Sequence, residues 1–107
     1  MSKIETNFPV QYKGADEAVL ELSGDLTYRC AELIEADFLT LSCSGVSLLF
    51  LDFSKVRYIN STGIAVLIRL INLSRSNNIE LKAFGLSPHY HEIFKITRLG
   101  DYITVLS

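Results

Sequence analysis

Four consecutive apolar residues, Leu48-Leu49-Phe50-Leu51, constrain this chain more than any other feature. A strand with one wet face alternates apolar and polar residues. An unbroken run suits a central strand covered on both faces. The run ends at Asp52, and Phe53 to Ile59 then reads as short and irregular, with Val56 and Ile59 turned inward and Lys55 and Arg57 facing water. Asn60-Ser61-Thr62-Gly63 follows and introduces Ile64-Ala65-Val66-Leu67-Ile68-Arg69-Leu70-Ile71. Asn60, Ser61 and Thr62 can each cap a helix by accepting a bond from a free N–H two or three residues on. Ile64, Leu67, Ile68 and Ile71 fall at i, i+3, i+4, i+7, which predicts a sheet-facing stripe. Val66, Leu70 and Leu73 make a second apolar row, readable either as a wider core contact or as an exposed docking surface.

The remaining elements follow in chain order. Phe8 to Tyr12 reads as a first strand, at a sheet edge because Pro9 has no N–H to donate. Lys13 to Asp16 is a turn, and Glu17 to Ser23 pairs back as a hairpin partner, Val19 and Glu21 opposed to Leu20 and Leu22. Gly24-Asp25-Leu26-Thr27 ends that strand and opens a helix, with Asp25 or Thr27 as cap. Cys30, Leu33, Ile34, Asp37 and Leu41 lie near one face of this helix, and Phe38 and Leu39 widen it. Ser42 to Gly45 stops it. After the second helix, Ser74 to Asn78 is polar, with Asn77 or Asn78 suited to positive φ. Ile79 to Phe84 is the fourth strand. Ser87-Pro88 is a cap followed by proline at the first helical position, opening a helix to about Lys95 that packs Ile93, Phe94 and Tyr90 inward. Leu99 to Asp101 turns the chain into a last strand, Tyr102 to Leu106. Strands alternating with helices imply right-handed parallel crossovers, and with five strands most helices should share one layer.

At 107 residues the chain is expected to form one domain over positions 1–107, with an apolar fraction of 49% that is ample for a core. Ten basic and twelve acidic residues give a net charge of −2 with no basic tract, which argues against nucleic acid as a partner. The first residues hold no apolar signal-peptide core, and no apolar run approaches the length of a membrane span. A cytoplasmic protein that does not insert into a membrane is therefore expected, its two cysteines, Cys30 and Cys43, being free thiols.

The glycines are scattered singly, and no phosphate-cradling fingerprint occurs. His89 and His91 are two apart, so on a helix they diverge, and no metal site or cofactor is expected. Asp52 could orient the turn before Ser61 or accept its N–H bonds. Ser61 has two readings. As a cap it would contribute roughly 0.5–2 kcal/mol relative to alanine. As a phosphoacceptor it would carry added negative charge where the helix dipole favours it, so the fold would survive while recognition changed. A side chain missing at Gly63 would let another protein approach that hydroxyl.

The stretch Leu51-Asp52-Phe53-Ser54-Lys55-Val56-Arg57-Tyr58-Ile59-Asn60-Ser61-Thr62-Gly63-Ile64-Ala65-Val66-Leu67, with the element order, resembles the STAS domain of bacterial anti-sigma factor antagonists. Gly24-Asp25-Leu26 is similar to that family's Gly-acid-Leu turn, and Phe94-Lys95-Ile96-Thr97-Arg98-Leu99 to its late segment. The resemblance implies an α/β fold with a mixed five-stranded sheet and helices mainly on one face. It implies a non-enzymatic module that sequesters a serine-kinase anti-sigma factor when Ser61 is unphosphorylated, the kinase supplying ATP and a metal-dependent serine phosphatase resetting the switch. The implied contact surface comprises Gly24, Asp25, Asn60, Thr62, Gly63 and, on the second helix, Val66 and Leu70. Two departures stand out. Asn60 replaces the family's acidic residue before the serine, and the sequence ends at Ser107, before the helix that usually follows the last strand. They motivate the alternative of an unphosphorylated scaffold subunit of a transporter or signalling assembly.

Overall fold

In the computed structural model of the chain, which describes residues 6–106, the Leu48 to Leu51 run lies in the middle strand of the sheet, yet its burial alternates. Leu49, Leu51 and Phe53 are buried, whereas Leu48, Phe50 and Asp52 are only half-buried. The strand is covered on one face, not two. It is also longer than its apolar core. β3 spans Leu48–Ile59, so the stretch expected to be irregular is a strand as well. Its partner β2, Glu17–Leu26, supplies the reason. Gly24, at φ +77°, lets β2 continue past a register shift to Leu26, where Leu26 pairs with Ile59. Gly24 and Asp25 are therefore a bulged strand end, not a loop that opens a helix.

β1 (Val10–Tyr12) pairs antiparallel with β2 at the edge, as the hairpin reading required. β2, β3, β4 (Glu80–Phe84) and β5 (Thr104–Val105) then pair in parallel, giving the order β1-β2-β3-β4-β5. Three helices cross between the parallel strands: α1 (Tyr28–Cys43), α2 (Ser61–Ser76) and α3 (Pro88–Ile96). All send their buried side chains to the face carrying Leu20, Leu22, Leu49, Leu51 and Phe53. The result is an α/β fold with helices on one face of a mixed five-stranded sheet.

α1 begins after Thr27, whose side chain makes no capping bond, and Asp25 does not cap it either. Asp37, on the apolar face, is 1% exposed. Its carboxylate accepts from the backbone N–H groups of Asn7 and Phe8 at 2.7 and 2.8 Å and from the Asn7 amide at 2.9 Å, tying the leading segment to α1. These bonds satisfy a charge that would otherwise be costly to bury. Leu33, by contrast, faces solvent.

α3 is capped as its sequence requires, with Ser87 Oγ accepting from Tyr90 N–H at 3.4 Å. Phe94 meets Phe53 edge-on at 5.9 Å between centroids, and the Tyr90 hydroxyl accepts from Ile59 N–H at 2.9 Å. That second bond ties α3 to the far end of β3. Of the two asparagines suited to positive φ, Asn78 adopts it, at 56°. The last strand shrinks to two residues, with Tyr102 exposed.

Candidate functional site

The site forms where β2 and β3 end and α2 begins. Open α/β sheets place their functional groups beyond the carboxyl ends of strands, and this site follows that rule. Asn60 N–H donates to Leu26 O at 3.4 Å, joining the two strand ends at the turn. Asn60 is the residue that caps α2. Its side-chain oxygen accepts from Gly63 N–H at 2.9 Å, and its carbonyl accepts from Ile64 N–H at 3.0 Å. Ser61 is therefore not the cap. It is the first helical residue, exposed, and its hydroxyl makes no hydrogen bond among the described residues.

The electrostatics at this point follow from helix geometry. The first N–H groups of any helix lack intrahelical acceptors and carry partial positive charge. Asn60 takes up only one of them, and no acidic residue stands in the first turn of α2. The hydroxyl of Ser61 thus lies in positive potential, open to solvent, with its capping duty already discharged by its neighbour. Thr62 beside it is half-buried.

Gly63 has a different role from the one expected. It is buried, and a Cβ built there would lie 2.5 Å from Leu26 O and 2.8 Å from Ile59 Cγ2. Its bare Cα lets α2 rest its first turn on the strand ends; it does not open the hydroxyl to a partner. This seating also sets the rotation of the helix. Counting from Gly63 at i+3, i+4, i+7, i+8 and i+11, the buried residues are Val66, Leu67, Leu70, Ile71 and Ser74. Val66 and Leu70, at 5% and 0% exposure, are core residues and not docking residues. Ile68, expected in the core stripe, is 48% exposed instead. The solvent face of α2 presents Ala65, Ile68, Arg69 and Asn72, with Arg69 bonded to Glu35 of α1 at 2.9 Å.

Asp52 does not reach this turn. Its carboxylate accepts from Ser54 N–H at 2.9 Å and Ser54 Oγ at 2.6 Å, because β3 extends well past it before the chain turns. Asp25 lies near the end of β2, beside this turn. It pairs across with Tyr58 and lies 3.6 Å from the Arg57 guanidinium. Tyr58 and Tyr28, both more than half exposed, complete the rim and were not singled out from sequence. The Cys30 thiol bonds to Asp25 O at 3.1 Å. Among the described residues no group of three or more side chains could hold a metal ion, and no helix is long and apolar enough to cross a membrane.

The family model of the STAS domain matches residues 9–107. The chain belongs to the STAS domain family. Within that family it is similar to the anti-sigma-B factor antagonist of Listeria monocytogenes, at 36% identity over 55 residues, or 51% of this chain. The matched region spans 48% of that relative, about half its length. The fold also matches the phosphorylated form of the Bacillus cell fate determinant SpoIIAA, with a TM-score of 0.72 and 18% identity over 94% of this chain and 91% of the other. A putative anti-sigma factor antagonist from Thermotoga maritima superposes with a TM-score of 0.80, 18% identity, and coverage of 94% and 86%.

Proposed function

We propose that this chain is a phosphorylation-regulated binding module, an anti-sigma factor antagonist that sequesters a serine-kinase anti-sigma factor while Ser61 is unmodified. The observation that carries the reading is the division of labour at the start of α2. Asn60 caps the helix, which leaves the Ser61 hydroxyl exposed and without a partner among the described residues. A phosphate there would sit against helix N–H groups with no carboxylate in the first turn to repel it. The domain would keep its shape and change only the charge it presents.

The proposed contact surface is Asp25 with Gly24 behind it, Asn60, Ser61 and Thr62, widened by Tyr28, Arg57 and Tyr58. The kinase would bring ATP and catalysis, and a serine phosphatase would reset the site. The relatives' names support this class of partner. Incubation with a kinase-type anti-sigma factor and ATP should add one phosphate to the intact mass and place it on Ser61. A Ser61→Ala variant should stay at its starting mass. Modification of that variant, or none of the wild type, would overturn the proposal.

A further inference from the structure

β3 outruns one of its neighbours. β4 leaves it after Phe84, which pairs with Asp52, whereas β3 continues to Ile59 with β2 as its one strand partner among the described residues. Gly85, at φ +79°, turns the chain away so close to β3 that a Cβ there would lie 2.7 Å from Ser54 N. This overhanging end leads into Asn60 and Ser61, and the N–H groups on its free edge must find acceptors that are not strands. Ser54 N–H turns to the Asp52 carboxylate at 2.9 Å. Ile59 N–H is buried and turns to the Tyr90 hydroxyl of α3, also at 2.9 Å.

Tyr90 is 8% exposed, and its ring is part of the core. A phenylalanine would fill that space as well. What tyrosine adds is one oxygen, which accepts from Ile59 N–H. A buried polar group without a partner is costly, so this bond satisfies both of its members.

Ile59 is thereby held on three sides. It pairs with Leu26 of β2, its Cγ2 lies against Gly63 of α2, and its N–H meets α3. The next residue is tied by a longer bond, Asn60 N–H to Leu26 O at 3.4 Å, beyond the usual range for such contacts. The Tyr90 bond is the shorter of the two, and it fixes where the strand stops and the helix bearing Ser61 starts.

We infer that Tyr90 is a positioning residue for Ser61: its hydroxyl, reaching from a helix outside the proposed contact surface, holds the turn on which Ser61 is presented. The inference rests on Ser61 being the modified residue and adds the group that fixes its place. Without that oxygen the end of β3 opens more often, and a partner must order the turn as it docks. Once docked, the partner's own contacts hold the turn. The loss therefore falls on KM for phosphorylation and not on kcat.

Tyr90→Phe keeps the ring and removes only the oxygen. Amide hydrogen exchange, measured where it reports the opening equilibrium, should speed up about tenfold or more at Ile59, Asn60 and Gly63. The amides of Leu49 and Leu51, in the middle of the sheet, should change less. Phosphorylation by a kinase-type anti-sigma factor should show KM raised about threefold or more with kcat unchanged. Ile79→Val, in the core beside the start of β4 at the opposite end of the sheet, lowers overall stability without touching this bond. It should speed the slow amides together and leave KM alone. Equal acceleration of all slow amides in Tyr90→Phe, an unchanged KM, or the same rise in KM from Ile79→Val would overturn the inference. A wild-type chain that takes up no phosphate would instead overturn the function proposed above. The exchange comparison needs no partner and still decides whether Tyr90 holds the turn.

Discussion

Gly63 lies directly beneath the carbonyl oxygen of Leu26, so close that a methyl group at Gly63 would stand 2.5 Å from it. That contact brings the end of β2 to the start of α2, orients the helix and leaves Ser61 outermost on its first turn. Gly63→Ala must push backbone away from backbone and should cost about 1–3 kcal/mol, the range of overpacked cores. Urea denaturation of purified variants measures it. Ser61→Ala, changing an exposed side chain nearby, should stay within about 0.5 kcal/mol of wild type.

Asn60 carries the capping energy assigned by the alternative reading to Ser61. Asn60→Ala should lose about 0.5–2 kcal/mol, while Asn60→Asp keeps an acceptor for Gly63 N–H and should lose little. If Ser61→Ala proved the costlier substitution, the hydroxyl and not the amide would be the cap.

Placing a charge at position 61 should not unfold the domain. Ser61→Asp adds a carboxylate at a helix N-terminus, worth about 0.3–1 kcal/mol in favour of the fold at low salt. Thermal unfolding should therefore show an unchanged or slightly raised midpoint, with the gain lost in salt.

Asp37 is the one buried carboxylate among the described residues. Asp37→Ala strands the buried N–H group of Phe8, at about 1–3 kcal/mol when fully unsatisfied, while that of Asn7, an exposed residue, can turn to water. Hydrogen exchange at those two amides should accelerate before any change in the sheet.

The sequence made the order of elements plain because each helix and strand carries its own apolar period, and because Ser87-Pro88 and Asn60 mark helix starts with local chemistry. What it concealed depends on partners far along the chain. The second half of β3 is polar and lacks a strand-like pattern; only pairing with the bulged end of β2 holds it extended. The two apolar rows of α2 were both visible, yet the buried face takes Leu67 and Ile71 from one and Val66 and Leu70 from the other, a rotation set by where Gly63 touches Leu26. Glycine's small size leaves no trace in a hydrophobic pattern. The half-buried outer face of the sheet was hidden for a similar reason, since Leu48 and Phe50 are as apolar as the buried Leu49 and Leu51.

The central claim is that one exposed hydroxyl at the mouth of α2 governs partner binding. Its most direct measurement is the affinity of a kinase-type anti-sigma factor for wild-type chain, Ser61→Ala and Ser61→Asp, titrated calorimetrically without ATP hydrolysis. Wild type and Ser61→Ala should bind alike, and Ser61→Asp at least about tenfold more weakly, a loss of about 1.4 kcal/mol or more. Equal affinity for all three variants would contradict the account.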